Sequence, residues 1–146
     1  MKKYISHNPN ETKKIAAHLA ANFQGGEVLG LIGDLGAGKT NFVQGLAEYF
    51  GVKDTVNSPT FVLMKPYPTS NKKCKLLVHF DCYRLNNPEE LLSLGIAEYF
   101  NDSKCLTVIE WADKIKSVLP VKTLWLRLER GKKETERIIT ILDNIK

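Results

Sequence analysis

The octet Gly33-Asp34-Leu35-Gly36-Ala37-Gly38-Lys39-Thr40 fills every fixed position of the phosphate-binding pattern G-x-x-x-x-G-K-T. Such a run works only where a strand hands the chain to a helix. Its glycines let consecutive N–H groups turn inward around an anion, and the helix that follows presents its positive end. The flanks meet that demand. Glu27 to Ile32 reads as a buried strand, and Asn41 to Ala47 opens a helix that closes at Gly51. Gly33, Asp34, Leu35, Gly36, Ala37 and Gly38 are expected to wrap phosphate oxygens. Lys39 should reach the terminal phosphates, facing solvent in the free loop, and Thr40 should offer its hydroxyl to Mg²⁺. The ligand class implied is a nucleoside triphosphate.

The remaining segments read as an α/β chain. Asn8-Pro9-Asn10-Glu11 is a helix start, with Asn as cap, Pro in the first turn and an acid behind it. Ile15, Leu19 and Phe23 then give one apolar face, ending at Gly25-Gly26. Val52 to Pro59 is polar and β-branched, suited to a mobile connection. Phe61 to Tyr67 and Lys75 to Tyr83 read as strands joined by a polar turn, and Asn87-Pro88-Glu89-Glu90 opens a short helix that Gly95 breaks. Cys105 to Ile109 is a buried strand ending at Glu110, and Trp111 to Val118 offers one or two helical turns. Thr123 to Glu129 and Thr135 to Leu142 form a final antiparallel pair. The expected architecture is one domain over residues 1–146. It has three layers around a mixed, largely parallel sheet, of the P-loop NTPase-like kind, with a C-terminal antiparallel hairpin.

Composition narrows the setting. The 146 residues can bury roughly two-thirds of their unfolded surface without cross-links. Three widely spaced cysteines, Cys74, Cys82 and Cys105, show no C-x-x-C pair, which argues against a zinc site or disulfide framework and suits a reducing cytoplasm. No leader-like apolar segment follows Met1-Lys2-Lys3, and no apolar run approaches a membrane span, so a cytoplasmic protein without membrane attachment is expected. The net charge of +5 is spread over dispersed lysines, which reads as solvated turns more than as a nucleic-acid surface.

A phosphate loop needs an acid at the end of a neighbouring strand, to hold the metal ion and orient water. Asp81 follows Leu76-Leu77-Val78-His79-Phe80, and Glu110 follows Leu106-Thr107-Val108-Ile109. Both strands finish in a carboxylate where open α/β sheets place their ligands, and the residues alone do not allocate the two roles. Ser58-Pro59-Thr60 offers two hydroxyls beside a rigid proline, or else an ordinary turn. His79 shares a strand face with Asp81 and reads as a hydrogen-bonded but catalytically idle core histidine. Trp111 reads as core, and Trp125, alternating with leucines, as cover for the sheet's other face. No arginine finger is evident at the loop. The N-K-x-D and D-x-x-G patterns of guanine readers are absent, which favours adenine by elimination.

Four motifs in order, the phosphate loop, Ser58-Pro59-Thr60-Phe61, His79-Phe80-Asp81-Cys82-Tyr83-Arg84-Leu85 and Ile109-Glu110-Trp111, resemble the small bacterial ATPase family of the tRNA threonylcarbamoyladenosine modification machinery, the TsaE family. Pro88-Glu89-Glu90-Leu91 and Gly95 to Phe100 extend the likeness along the chain. The resemblance implies ATP and Mg²⁺ as cofactors. It also implies docking on a heterodimer of the threonylcarbamoyl transferase and its inactive paralogue, with tRNA met indirectly. The modified base is the adenosine next to the anticodon of ANN-decoding tRNAs, and hydrolysis resets the complex. It further implies Thr40 and Glu110 as Mg²⁺ ligands, Asp81 in a Walker-B-like role and Thr60 in a switch by the γ-phosphate. Thr12 would border adenine, and Arg137 would be a looser phosphate contact. The different readings that stay open are a small-molecule kinase and a nucleotide-dependent scaffold.

Overall fold

The computed structural model describes residues 1–58 and 63–143. Seven strands form one sheet in the order β1-β7-β6-β2-β5-β4-β3. They are β1 (Lys2–Ser6), β2 (Val28–Ile32), β3 (Met64–Pro68), β4 (Leu76–Asp81), β5 (Cys105–Glu110), β6 (Leu124–Arg130) and β7 (Arg137–Leu142). The four central strands β6, β2, β5 and β4 run parallel. The β3–β4 pair and the β1–β7–β6 edge are antiparallel. The expected mixed sheet, parallel at its centre with a C-terminal hairpin, is therefore present.

Alternation along the strands assigns the two faces. On one face, Leu29, Leu31, Leu77, Leu106, Val108, Leu126 and Leu128 pack beneath α1 (Pro9–Ala20) and α2 (Lys39–Phe50). On the other, Val28, Val78, Phe80, Ile109 and Trp125 pack beneath α3 (Glu89–Ser93), α4 (Ile96–Phe100) and a 3₁₀ segment, Ala112–Val118. Trp125 covers that second face as expected, and the sheet accommodates it at Gly30. A Cβ there would lie 2.7 Å from the Trp125 ring, closer than side chains approach.

Local chemistry explains the two long helices. Asn8 caps α1 by accepting from the Glu11 N–H at 2.9 Å, and Pro9 takes the first turn, where no N–H is needed. Helix α2 starts from Gly38 (φ 98°) and ends on Gly51 (φ 77°), both in the left-handed region that favours glycine. Two elements depart from the sequence reading. Lys2–Ser6 forms an edge strand where none was expected. Gly95, expected only to break a helix, also caps the next one, α4, from φ 78°. Among the described residues, no helix is long and apolar enough to cross a membrane.

Candidate active site

The parallel order sets the site. Strand β2 lies between β5 and β6, and β4 follows β5, so the loop leaving β2 emerges beside the C-terminal ends of β4 and β5. Asp81 and Glu110 are register partners at those ends. Parity turns both side chains toward the face under α2, whose first residues are Lys39 and Thr40. All three charges are buried, with exposures of 5% for Lys39, 6% for Asp81 and 3% for Glu110. Buried charges persist where they are paired and hydrogen-bonded.

The partners are specific. Thr40 Oγ1 donates to the Glu110 carboxylate, 3.1 Å from each oxygen, and His79 Nε2 lies 2.6 Å from Glu110 Oε2. Asp81 accepts from the Ser58 hydroxyl through Oδ2 and from the Tyr83 N–H at 3.0 Å through Oδ1. Ser58, Asp81, Glu110, Lys39, Thr40, Arg84 and Trp111 line one cavity of about 400 Å³. Among the described residues, no group of three or more His, Cys, Asp or Glu could hold a metal ion by itself. Thr40 and Glu110 instead form a sparse set of hard oxygen donors. Such a set suits Mg²⁺, which fills its octahedron mainly with water and phosphate.

Lys39 corrects the expectation that it faces solvent. Its ammonium folds back onto the loop, donating to the carbonyls of Gly33 and of Asp34 (3.0 Å), and lies 4.2 Å from the centre of the Trp111 ring. A desolvated ammonium takes whatever acceptors and π-faces surround it. Burial pushes its pKa down, while Glu110, Asp81, Asp34 and Asp113 oppose that shift. Trp111 is likewise not simply core. It is half-buried, lines the cavity and meets the Tyr83 ring in a tilted contact with centroids 5.0 Å apart. Its φ of 58° is the only positive value at a non-glycine among the described residues, and such strain in a bulky residue concentrates at functional sites.

A second cavity of about 460 Å³ is lined by Pro9, Thr12, Gly38, Asn41, Glu134, Thr135 and Arg137. It shares Gly38 and Asn41 with the first, so the two cavities adjoin at the loop. Thr12 and Arg137 thus line one cavity with Gly38 of the loop. The Thr12 hydroxyl is tied to Ser6 Oγ at 2.7 Å, and Arg137 Nη1 donates to the carbonyls of Glu134 and Glu136. Arginines also come to the loop from afar. Arg130 lies against Gly36, the Arg137 side chain runs past Gly38, and Arg84 lines the 400 Å³ cavity.

The structure therefore brings Gly33 to Thr40, Ser58, Asp81, Glu110, Thr12 and Arg137 together; Thr60, with Pro59 and Phe61, lies outside the described residues. Sequence reasoning missed the His79–Glu110 contact, Trp111, Arg84 and Arg130. Only the spacing of His79 from Asp81 and the adjacency of Trp111 to Glu110 signalled any of them.

Comparison with known proteins identifies the family. The family model "Threonylcarbamoyl adenosine biosynthesis protein TsaE" matches residues 6–139. The tRNA threonylcarbamoyladenosine biosynthesis protein TsaE of Bacillus subtilis is 42% identical over 143 residues, 97% of this chain and 87% of that protein. Its namesake in Rickettsia felis is 39% identical over 141 residues, 96% and 79% of the two chains. A solved structure, Bacillus subtilis YdiB, superposes with a TM-score of 0.77 at 36% identity, covering 96% of this chain and 83% of that one. With a phosphate loop, paired strand-end acids and a family match over most of its length, the chain belongs to the TsaE family.

Proposed function

We propose that this chain is a Mg²⁺-dependent ATPase that supports threonylcarbamoylation of the adenosine next to the anticodon in ANN-decoding tRNAs. It would work in the cytoplasm, docked on the transferase and its inactive paralogue, and ATP hydrolysis would reset that complex between rounds. The observation that carries the enzymatic part is the Thr40–Glu110 pair at the mouth of the phosphate loop. A hydroxyl and a carboxylate held together beside a buried lysine are the protein's share of a Mg²⁺–triphosphate site. The biosynthetic part is supported by the names of the relatives.

Each residue then has a task. Backbone N–H groups of Gly33 to Gly38 and the start of α2 receive the phosphates, and Lys39 exchanges the loop carbonyls for β/γ oxygens. Thr40 and Glu110 would hold the Mg²⁺, which would supply positive charge against the terminal phosphates. Asp81, anchored by Ser58 and the Tyr83 N–H, orients the attacking water. The water's oxygen bonds to the γ-phosphorus as the bond to the β–γ bridging oxygen breaks, and the water's proton leaves with the phosphate or to solvent, giving ADP and inorganic phosphate. The 460 Å³ cavity beside Thr12 receives the base.

The test is phosphate release by the isolated protein and by the protein with the transferase heterodimer. Slow release alone and at least about tenfold stimulation by the partners are expected, since supplied charge or positioning elsewhere is worth far more. Thr60→Ala should blunt the stimulation more than it weakens ATP binding. Equal rates with and without the heterodimer would remove the gating, and a phosphorylated small-molecule acceptor would make the protein a kinase.

A further inference from the structure

His79 has no exposed surface, yet it is not idle filling. Its ring meets the site at one atom, Nε2, 2.6 Å from Glu110 Oε2. The other nitrogen, Nδ1, is buried and has no hydrogen-bond partner among the described residues. A buried N–H with no acceptor is rarer and costlier than a bare lone pair, so the ring proton belongs on Nε2, donated to the carboxylate. The sheet register explains the meeting. His79 pairs with Val108 and Asp81 with Glu110, so His79 and Glu110 are diagonal neighbours on the face beneath α2.

The two donors to Glu110 do different things. The Thr40 hydroxyl is equidistant from both oxygens, 3.1 Å from each, and by itself distinguishes neither. His79 approaches Oε2 alone. With Oε2 engaged, Oε1 is the oxygen left to a cation, and the plane of the carboxylate is fixed between a strand and a helix.

We propose that His79 is a positioning residue of the metal site: by donating Nε2–H to Oε2 of Glu110 it reserves Oε1 for the divalent cation. This rests on Glu110 being the cation ligand of the ATPase proposed above. Partners of this kind, acting one shell behind a ligand, typically change metal affinity by 10–100-fold when removed.

Three variants separate positioning from packing. His79→Gln places an amide N–H near the Nε2 position, His79→Asn carries the same group but stops short of Glu110, and His79→Leu fills the space without a donor. For each, the readouts are the Mg²⁺ concentration giving half-maximal ATP turnover, ATP affinity in EDTA, and melting temperature. ¹⁵N spectra of the metal-free parent report the ring tautomer. His79→Leu and His79→Asn should raise the Mg²⁺ requirement about tenfold or more with ATP affinity in EDTA unchanged. His79→Gln should stay close to the parent, and the spectra should show Nε2–H. A Leu variant with the parent's Mg²⁺ requirement, a Gln variant as impaired as Asn, or an Nδ1–H tautomer overturns the inference. If the Leu variant does not fold, the Gln–Asn contrast decides alone. A parent whose turnover ignores Mg²⁺ overturns the reading of the whole site and the inference with it; an unaffected Leu variant in a Mg²⁺-dependent parent overturns the inference only.

Discussion

Lys39 is held by two loop carbonyls and an indole face in a setting that pushes its pKa down by burial. In the ATP site proposed above, its task would be an exchange of acceptors, not the reach of a free side chain. Lys39→Ala is expected to reduce ATP turnover at least a hundredfold while the far-ultraviolet circular dichroism stays that of the parent, because both apolar clusters lie elsewhere. Undiminished phosphate release would sink the phosphate-site assignment. The two acids should separate by phenotype, since their partners differ. Glu110→Gln keeps the shape but presents the Thr40 hydroxyl and the cation with a neutral amide, so the Mg²⁺ needed for half-maximal turnover should rise about tenfold or more. Asp81→Asn leaves the Thr40–Glu110 pair intact and should depress turnover even at saturating Mg²⁺. A Mg²⁺ titration of both variants checks this, and reversed phenotypes would exchange the roles.

Helices α1 and α2 both line the 460 Å³ cavity, with Thr12 on one and Asn41 on the other, so their spacing matters. Gly45 sets it. A Cβ there would lie 2.7 Å from the Lys13 Cα and 2.9 Å from its carbonyl oxygen, backbone atoms that cannot swing aside. Gly45→Ala gains about 1 kcal/mol in helix propensity but forces the helices apart, at roughly 1–3 kcal/mol for overpacking. Gly45→Val adds bulk without that gain. Urea unfolding should find Gly45→Ala near neutral to about 2 kcal/mol less stable, and Gly45→Val the worse of the two. ATP affinity should fall with α1's displacement. A Val variant as stable as the parent would show that α1 is free to move. At the other end of the loop, Arg130 and Arg137 are register partners flanking the β6–β7 turn. One hairpin thereby delivers a guanidinium to Gly36 and an arginine side chain to Gly38.

Across the molecule, Cys82 and Cys105 add an alkaline limit to stability. Burial pushes the Cys82 thiol up to about 12, with Asp81 adding to it, and the Cys105 thiol to about 11. Both folded values lie above the ordinary 9.0, so the unfolded chain ionises first. The stabilisation is complete below pH 9 and is lost as pH rises toward 11–12. By pH 10 the Cys82 contribution alone should have cost about 1 kcal/mol. Cys82→Ala should therefore lose less stability than the parent between pH 8 and about 10 in urea titrations; parallel losses would refute it. Much of this molecule was legible in its residues. The phosphate loop carries its own geometry, and Asp81 and Glu110 stand out because each ends an apolar run. Strand β1 was hidden because Lys2, Lys3 and Tyr4 read as an exposed start, and an edge strand needs only one neighbour. The His79–Glu110 contact and the folded-back Lys39 depend on which strands lie side by side, and no local pattern states that. That strand order also sets a schedule. The central strand β2 pairs only with β5 and β6, so during synthesis it leaves the ribosome with both edges unmatched. At ordinary translation speeds β6 follows on the order of 5–20 s later. Long-range strand pairing of this kind is slow, so the phosphate loop, first in the sequence to announce itself, is expected to be among the last parts of the nascent chain to take its working shape.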